Sequence, residues 1–281
     1  MPAKTFSIMG DSISTFEGCV PDGYTLFYND ERLERSGVLR PEDTWWSHTV
    51  RALGGTVLAD SAWSGSMVEG AGFPAASSPE RAAALLGRDG QEPDAVLVFI
   101  GINDYGWGGA EAQAAGRSHA MLRNIRTAAP KAAVYCITLL PGRTHGVDHP
   151  EFCYRLRGRH LDEYNAAIRD AAAAEGCRVA DVRAFGRDYD SLEGTHPTNL
   201  GMRQFASMVV RAMQLADSAG VETPTTEGIT AVAQPDAANP ALDLRDFCGA
   251  PKSAQLCDSP TCIGCPHAAN TGNQWLCRCL K

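Results

Sequence analysis

Two hydrophobic patterns alternate along most of the chain. Short, nearly continuous apolar runs occur at Phe6 to Met9, Thr56 to Ala59, Asp94 to Ile100, Ala133 to Leu139 and Arg178 to Val182. Their length predicts strands, and the unbroken Ala-Val-Leu-Val-Phe-Ile of the third predicts one buried on both faces. Between them, apolar residues recur at helical spacing: Trp45, Trp46, Val50 and Leu53; Met121, Leu122, Ile125 and Ala129; Leu161, Tyr164, Ile168 and Ala172; Phe205, Met208, Val209 and Ala212. Asp43 or Thr44 can cap the first of these helices, while Gly54-Gly55, Pro130 and Gly176 stop the first three. Pro79 to Leu86 reads as a further short helix. Strands that alternate with helices require crossover connections, so the expected class is α/β: a parallel sheet with helices on both faces.

Three stretches lack either period. Glu17 to Asp43 and Pro141 to Arg157 read as long irregular excursions, the second carrying His145 and His149 beside Gly146 and Pro150, which argues against a helical metal pair. From about Asp217 to Asp246 the chain is rich in Thr, Ala, Pro and Asp, as in a linker or an extended strap. Cysteine usage then changes: four of the ten are scattered as far as Cys177, and the rest crowd from Cys248 onward. The expected organisation is therefore a main domain over residues 1–216, a linker or strap over 217–246, and a small Cys-rich module over 247–281.

Charge narrows the partners. A formal net charge of −8 without a dense Lys/Arg stripe disfavours nucleic acid or an anionic membrane, and favours a small, neutral or weakly polar molecule. The N-terminus enters a strand pattern without a long apolar leader, and no run approaches membrane-spanning length, so a cytoplasmic location is expected.

The candidate chemistry lies just beyond the strand ends, where ligands bind in open α/β sheets. Gly10-Asp11-Ser12 delivers a hydroxyl directly after the first strand, although Asp or Ser there also serves as a simple helix cap. A serine nucleophile needs a base, an orienter for that base and donors for the oxyanion. Gly65, after the second strand, can bring its backbone N–H to a substrate oxygen, and the Asn103 amide in Gly101-Ile102-Asn103-Asp104, after the third, can donate to the same oxygen. Glu193-Gly194-Thr195-His196-Pro197 places a carboxylate three residues before a histidine. Asp104 is expected to bond neighbouring loop backbone, and Trp63 and Trp107, beside the Gly65 and Asn103 loops, to pack or to wall an acyl pocket.

These blocks, together with Ser64-Gly65-Ser66, resemble the SGNH hydrolases, the GDSL esterases and lipases, over roughly residues 4–215. The resemblance implies a flavodoxin-like, three-layer α/β/α fold. It also implies Ser12 as nucleophile, His196 as general base, and an oxyanion hole from the Ser12 and Gly65 backbone N–H groups and the Asn103 side chain. The Gly-x-Ser-x-Gly elbow of ordinary α/β-hydrolases is absent. One departure stands out: the family usually carries Asp three residues before the histidine, whereas Glu193 occupies that place and Asp190 lies three residues earlier. Glu193 is favoured as the orienter, with Asp190 or a backbone carbonyl as alternatives.

The expected function is hydrolysis of a small ester through an acyl-enzyme, with a short acyl group such as acetyl on a carbohydrate or other metabolite. No cofactor is expected for catalysis. The contrasting reading is a binding or scaffold protein with a degenerate pocket. In the tail, Cys262, Cys265, Cys277 and Cys279 are the expected ligands of a structural zinc ion, with disulfides as the rival arrangement.

Overall fold

The computed structural model describes residues 3–68, 73–107, 111–140, 142–144, 155–156, 159–219, 268–270 and 275–277. The strands include β1 (Thr5–Gly10), β2 (Thr56–Ala62), β3 (Ala95–Phe99), β4 (Ala133–Ile137), β5 (Gly142–Thr144), β6 (Arg178–Ala180) and β7 (Tyr189–Ser191), besides two short antiparallel pairs, Arg155–Leu156 with Arg159–His160 and Ala268–Asn270 with Trp275–Cys277. The helices are α1 (Glu31–Ser36), α2 (Trp45–Ala52), α3 (Pro79–Ala83), α4 (Ile102–Trp107), α5 (Glu111–Ala128), α6 (Leu161–Ala174) and α7 (Asn199–Ala219). Five strands form one parallel sheet in the order β2-β1-β3-β4-β6, which is the flavodoxin-like order. The expected α/β/α class is what the chain adopts.

Strand alternation divides the core between the two faces of this sheet. Phe6, Ile8, Leu97, Phe99, Tyr135 and Ile137 join Trp45, Trp46, Met202 and Phe205 from α2 and α7 in one cluster. Met9, Val96, Val98 and Val134 face Ala82, Met121, Leu122 and Ile125 from α3 and α5 in the other. Trp45 is fully buried, its ring edge-on to Phe99 and Phe205, and its indole N–H donates to Ser14 Oγ at 3.2 Å. Trp45→Ala is expected to lower unfolding free energy by about 3–5 kcal/mol, the usual cost of emptying a buried aromatic site, measured by urea denaturation.

Several elements differ in extent from their sequence pattern. Thr44 is the cap of α2, its hydroxyl accepting from Ser47 N–H at 3.3 Å. β2 continues through Asp60, Ser61 and Ala62, which the small polar residues made read as loop. These residues pair with Ile8, Met9 and Gly10 of β1, so the strand persists where hydropathy alone would end it. α1 interrupts the first excursion and β5 the second, where it pairs in parallel with β7. α7 runs three residues past the expected end of the main domain, and Asp217 accepts from Tyr135 Oη on β4 at 2.6 Å. In the Cys-rich stretch, Ala268–Asn270 pairs antiparallel with Trp275–Cys277. Among the described residues no helix is long and apolar enough to cross a membrane.

Candidate active site

β1 delivers Ser12 to the C-terminal edge of the sheet, beside the point where the strand order reverses between β1 and β3. The turn is tight: a Cβ at Gly10 would collide with the Ser14 side chain. Asp11 caps the short 3-10 turn Ser12–Ser14, its Oδ1 accepting from Ile13 N–H at 3.1 Å. Both roles expected of this stretch therefore coexist, since Asp11 does the capping and leaves the Ser12 hydroxyl to face His196.

The histidine is held from several sides. Ser12 Oγ lies 2.8 Å from His196 Nε2, and Nδ1 of the same ring makes a close hydrogen bond with Glu193 Oε1. With Nδ1 protonated and donating to Glu193, Nε2 is free to accept from the serine hydroxyl. Glu193 Oε1 also accepts the His196 backbone N–H at 3.0 Å, which fixes the short loop between them. The buried phenols of Tyr28 and Tyr189 donate to the carbonyls of Pro197 and Thr195, each at 2.7 Å, gripping the backbone on either side of His196. The Phe27 ring covers the imidazole, with centroids 3.4 Å apart and planes 3° from parallel. The Glu193 side chain is 48% exposed against 17% for His196, so water screens the carboxylate much more than the imidazole.

Asp190, the alternative orienter, is turned elsewhere. Its carboxylate accepts from the Thr198 hydroxyl, its N–H donates to Gln204 Oε1 at 2.8 Å, and its carbonyl accepts from Thr198 N–H at 3.1 Å. It pins the start of α7, while Glu193 meets His196.

Gly65, in the turn after β2, and Asn103, in the first turn of α4, belong to two segments that are tied together. Ser66 N–H donates to Trp63 O at 3.0 Å across a turn whose third residue is Gly65 at φ +81°, the conformation a type II turn demands of that position. Asn103 Nδ2 donates to Ser66 O at 2.9 Å, leaving its second N–H for another acceptor. Asp104 accepts Val68 N–H at 2.9 Å, the loop-bonding role expected of it. Tyr24, Trp63 and Phe73 meet beside Gly65, with centroid separations of 4.6 Å for Tyr24–Trp63 and 4.7 Å for Trp63–Phe73. The Trp107 side chain lies outside the described set, as do His145 and His149.

Electrostatics under the serine are unusual for a carboxylate. Asp11 is 1% exposed, and burial, with a smaller contribution from the Asp104 charge, pushes its carboxyl up to about 7 against the Ile13 N–H and the Arg81 guanidinium. Asp60 is likewise raised by burial. Because the folded chain holds the Asp11 proton more tightly than the unfolded chain, this group's stabilisation is complete below the ordinary carboxylate pKa and is lost as pH rises through about 7. Asp11→Asn, which keeps an acceptor for Ile13 N–H, should therefore leave Tm unchanged near pH ~4 and raise it above pH ~7, as read by thermal melts across that range.

Nothing in the sequence singles out Phe27, Tyr28, Tyr189 or Arg81 for this site. The first two lie in an aperiodic excursion, and nothing in their local pattern reports a contact with residues near 196.

Comparison with known proteins places the chain in a family. The profile of the GDSL-like lipase/acylhydrolase family matches residues 8–204, so the chain belongs to that family and is an SGNH-type ester hydrolase. Many solved structures share its fold, three of them as follows. One, described as a GDSL-like lipase from Bacteroides uniformis, has a TM-score of 0.54 and 22% identity over 77% of this chain and 96% of its own. A second, from Bacteroides ovatus and described in the same way, has a TM-score of 0.52 and 18% identity over 78% and 100%. The inhibitor-bound aryl esterase of M. smegmatis has a TM-score of 0.53 and 19% identity over 76% and 99%. No curated protein sequence matches the chain. Of the expected zinc ligands, Cys262, Cys265 and Cys279 lie outside the described residues, and Cys277 is described only as part of a strand.

Proposed function

We propose that this chain hydrolyses small carboxylic esters with a short acyl group, acetyl on a carbohydrate or similar metabolite being the expected case, through an acyl-enzyme on Ser12. The observation that carries the reading is the relay from Ser12 Oγ to His196 Nε2 at 2.8 Å, with Glu193 on the far ring nitrogen. His196 takes the hydroxyl proton as Oγ bonds to the ester carbon, and Glu193 stabilises the resulting imidazolium. The carbonyl oxygen becomes an oxyanion, for which the Ser12 and Gly65 backbone N–H groups and the free Asn103 N–H are the donors. Collapse breaks the bond to the alcohol, which leaves with the proton from His196. Water then attacks the acyl-serine by the same route in reverse, releasing the acid and restoring the hydroxyl.

The rings of Tyr24, Trp63 and Phe73 beside Gly65, inclined to one another by 54° to 86°, form a compact aromatic cluster, which supports a compact substrate. Trp63→Ala is expected to raise KM by about tenfold for ring-bearing esters with much less effect on kcat, because this contact is made equally in the ground and transition states. Asn103→Ala should lower kcat by about 10²–10³-fold with KM nearly unchanged, the cost of one oxyanion donor. Initial rates over a panel of aryl and sugar esters of increasing acyl length test both expectations. A preference for long acyl chains would contradict the short-acyl reading, and no turnover with any ester would favour a binding role. The cysteine spacing in the tail supports a structural zinc ion, which metal analysis with a thiol count under non-reducing conditions would separate from disulfides.

A further inference from the structure

Arg81 is a charged side chain with no exposure at all. Burying a guanidinium costs several kcal/mol unless its donors are matched, so where those donors go is informative. They go to the strand ends and loops around the candidate site. Nη2 donates to Gly10 O at 2.8 Å and closely to Ser61 O; Nε donates to Ser61 O at 3.0 Å and approaches Ser61 Oγ at 3.2 Å. Nη1 donates to Ser66 Oγ at 2.8 Å and to Pro74 O at 2.7 Å. Gly10 O and Ser61 O lie at or near the C-terminal ends of β1 and β2, and Gly10 O takes a second donor, Trp63 N–H, at 3.1 Å.

We propose that Arg81 is the positioning residue of the oxyanion hole, a role that rests on the hydrolase site described above. Through Gly10 O it fixes the backbone that leads into Asp11 and Ser12. Through Ser66 Oγ it fixes the turn that carries Gly65, and through that residue's carbonyl it sets Asn103. All the proposed donors thus share one buried anchor. The fork of five N–H groups is what permits simultaneous bonds to four neighbouring residues, which a lysine ammonium cannot reproduce. Oxyanion stabilisation depends on donors being held in place before charge develops, so loosening this anchor should act on the transition state more than on substrate binding.

The test uses Ser66→Ala, which removes the hydroxyl that accepts from Arg81 and donates to Pro74 O at 3.0 Å and Met67 O at 3.2 Å but leaves the carbonyl that holds Asn103, alongside Arg81→Met and Arg81→Lys, with Tm recorded for each. Arg81→Met is expected to lower kcat by about 10²-fold with KM within about threefold, and Arg81→Lys to recover little of that loss. Ser66→Ala should lower kcat by about tenfold in the wild-type background but by only about threefold in an Asn103→Ala background, because part of its cost passes through the turn to the Asn103 donor already removed and the rest through Gly65. This coupling decides the matter even if the Arg81 variants fail to fold. Independent, multiplicative effects of Ser66→Ala and Asn103→Ala would overturn the proposal, as would a lowered Tm with kcat unchanged. Turnover that is lost in Ser12→Ala while the coupling is absent would overturn this role alone. A wild-type chain inert toward esters and toward a fluorophosphonate would remove the hydrolase reading and this role with it.

Discussion

Ser12→Ala is expected to lower kcat for ester hydrolysis by about 10⁴-fold or more while leaving Tm close to that of the wild type. The hydroxyl is the atom that bonds to the acyl carbon, so no neighbour can replace it at that place. Its removal costs little structure, because the residue holds its turn through backbone: Ser12 O accepts from Thr15 Oγ1 at 3.0 Å, and the capping of the turn belongs to Asp11. Residual rate should come from the oxyanion donors and from substrate binding alone. Steady-state kinetics on a short-chain aryl ester, with the melting temperature measured on the same samples, checks both halves of this expectation.

The second large effect separates the two residues behind the serine. His196→Ala should fall as far as Ser12→Ala, and the double variant no further, because base and nucleophile act as a unit. Glu193→Gln should cost considerably less, about 10- to 10³-fold, since a buried triad carboxylate sets an upper level near 10⁴ and this one is half exposed. The ring also has supports that do not depend on Glu193: Phe27 stacks on its face, and Tyr28 and Tyr189 hold the backbone around it. Asp190→Asn should act through stability, because its carboxylate accepts from Thr198 at the start of α7 rather than meeting His196. Parallel kcat and Tm measurements on these variants distinguish an orienting carboxylate from one that anchors a helix.

Much of this arrangement was legible in the chain because the relevant signals are local. Gly10-Asp11-Ser12 follows an apolar run too short for a helix and bounded by a glycine, which reads as a buried strand ending in a tight turn. Gly65 sits where a type II turn requires a positive φ, and the apolar run before Gly101 marks the strand that leads to Asn103 at the start of α4. Contacts between distant segments left no comparable trace. The stacking of Phe27 on His196 joins an aperiodic excursion to a loop near the end of the domain, and neither segment has a period that points to the other. Arg81 is harder still: in a short helix, a lone arginine reads as a solvated residue, since charged side chains are seldom fully buried. Only the convergence of Gly10, Ser61, Ser66 and Pro74 on its guanidinium explains its burial. The extension of β2 through Asp60 and Ser61 has the same origin. Ser61 is polar because it meets Arg81, and parallel pairing with β1 keeps both residues in the strand.

The most direct test of the central claim, that Ser12 is a nucleophile activated by His196, is fluorophosphonate labelling followed by peptide mass spectrometry on the full chain. A single adduct on Ser12, absent in Ser12→Ala and strongly slowed in His196→Ala, is the result this site predicts. Labelling confined to another residue, or no adduct on a protein that still turns over esters, would contradict it.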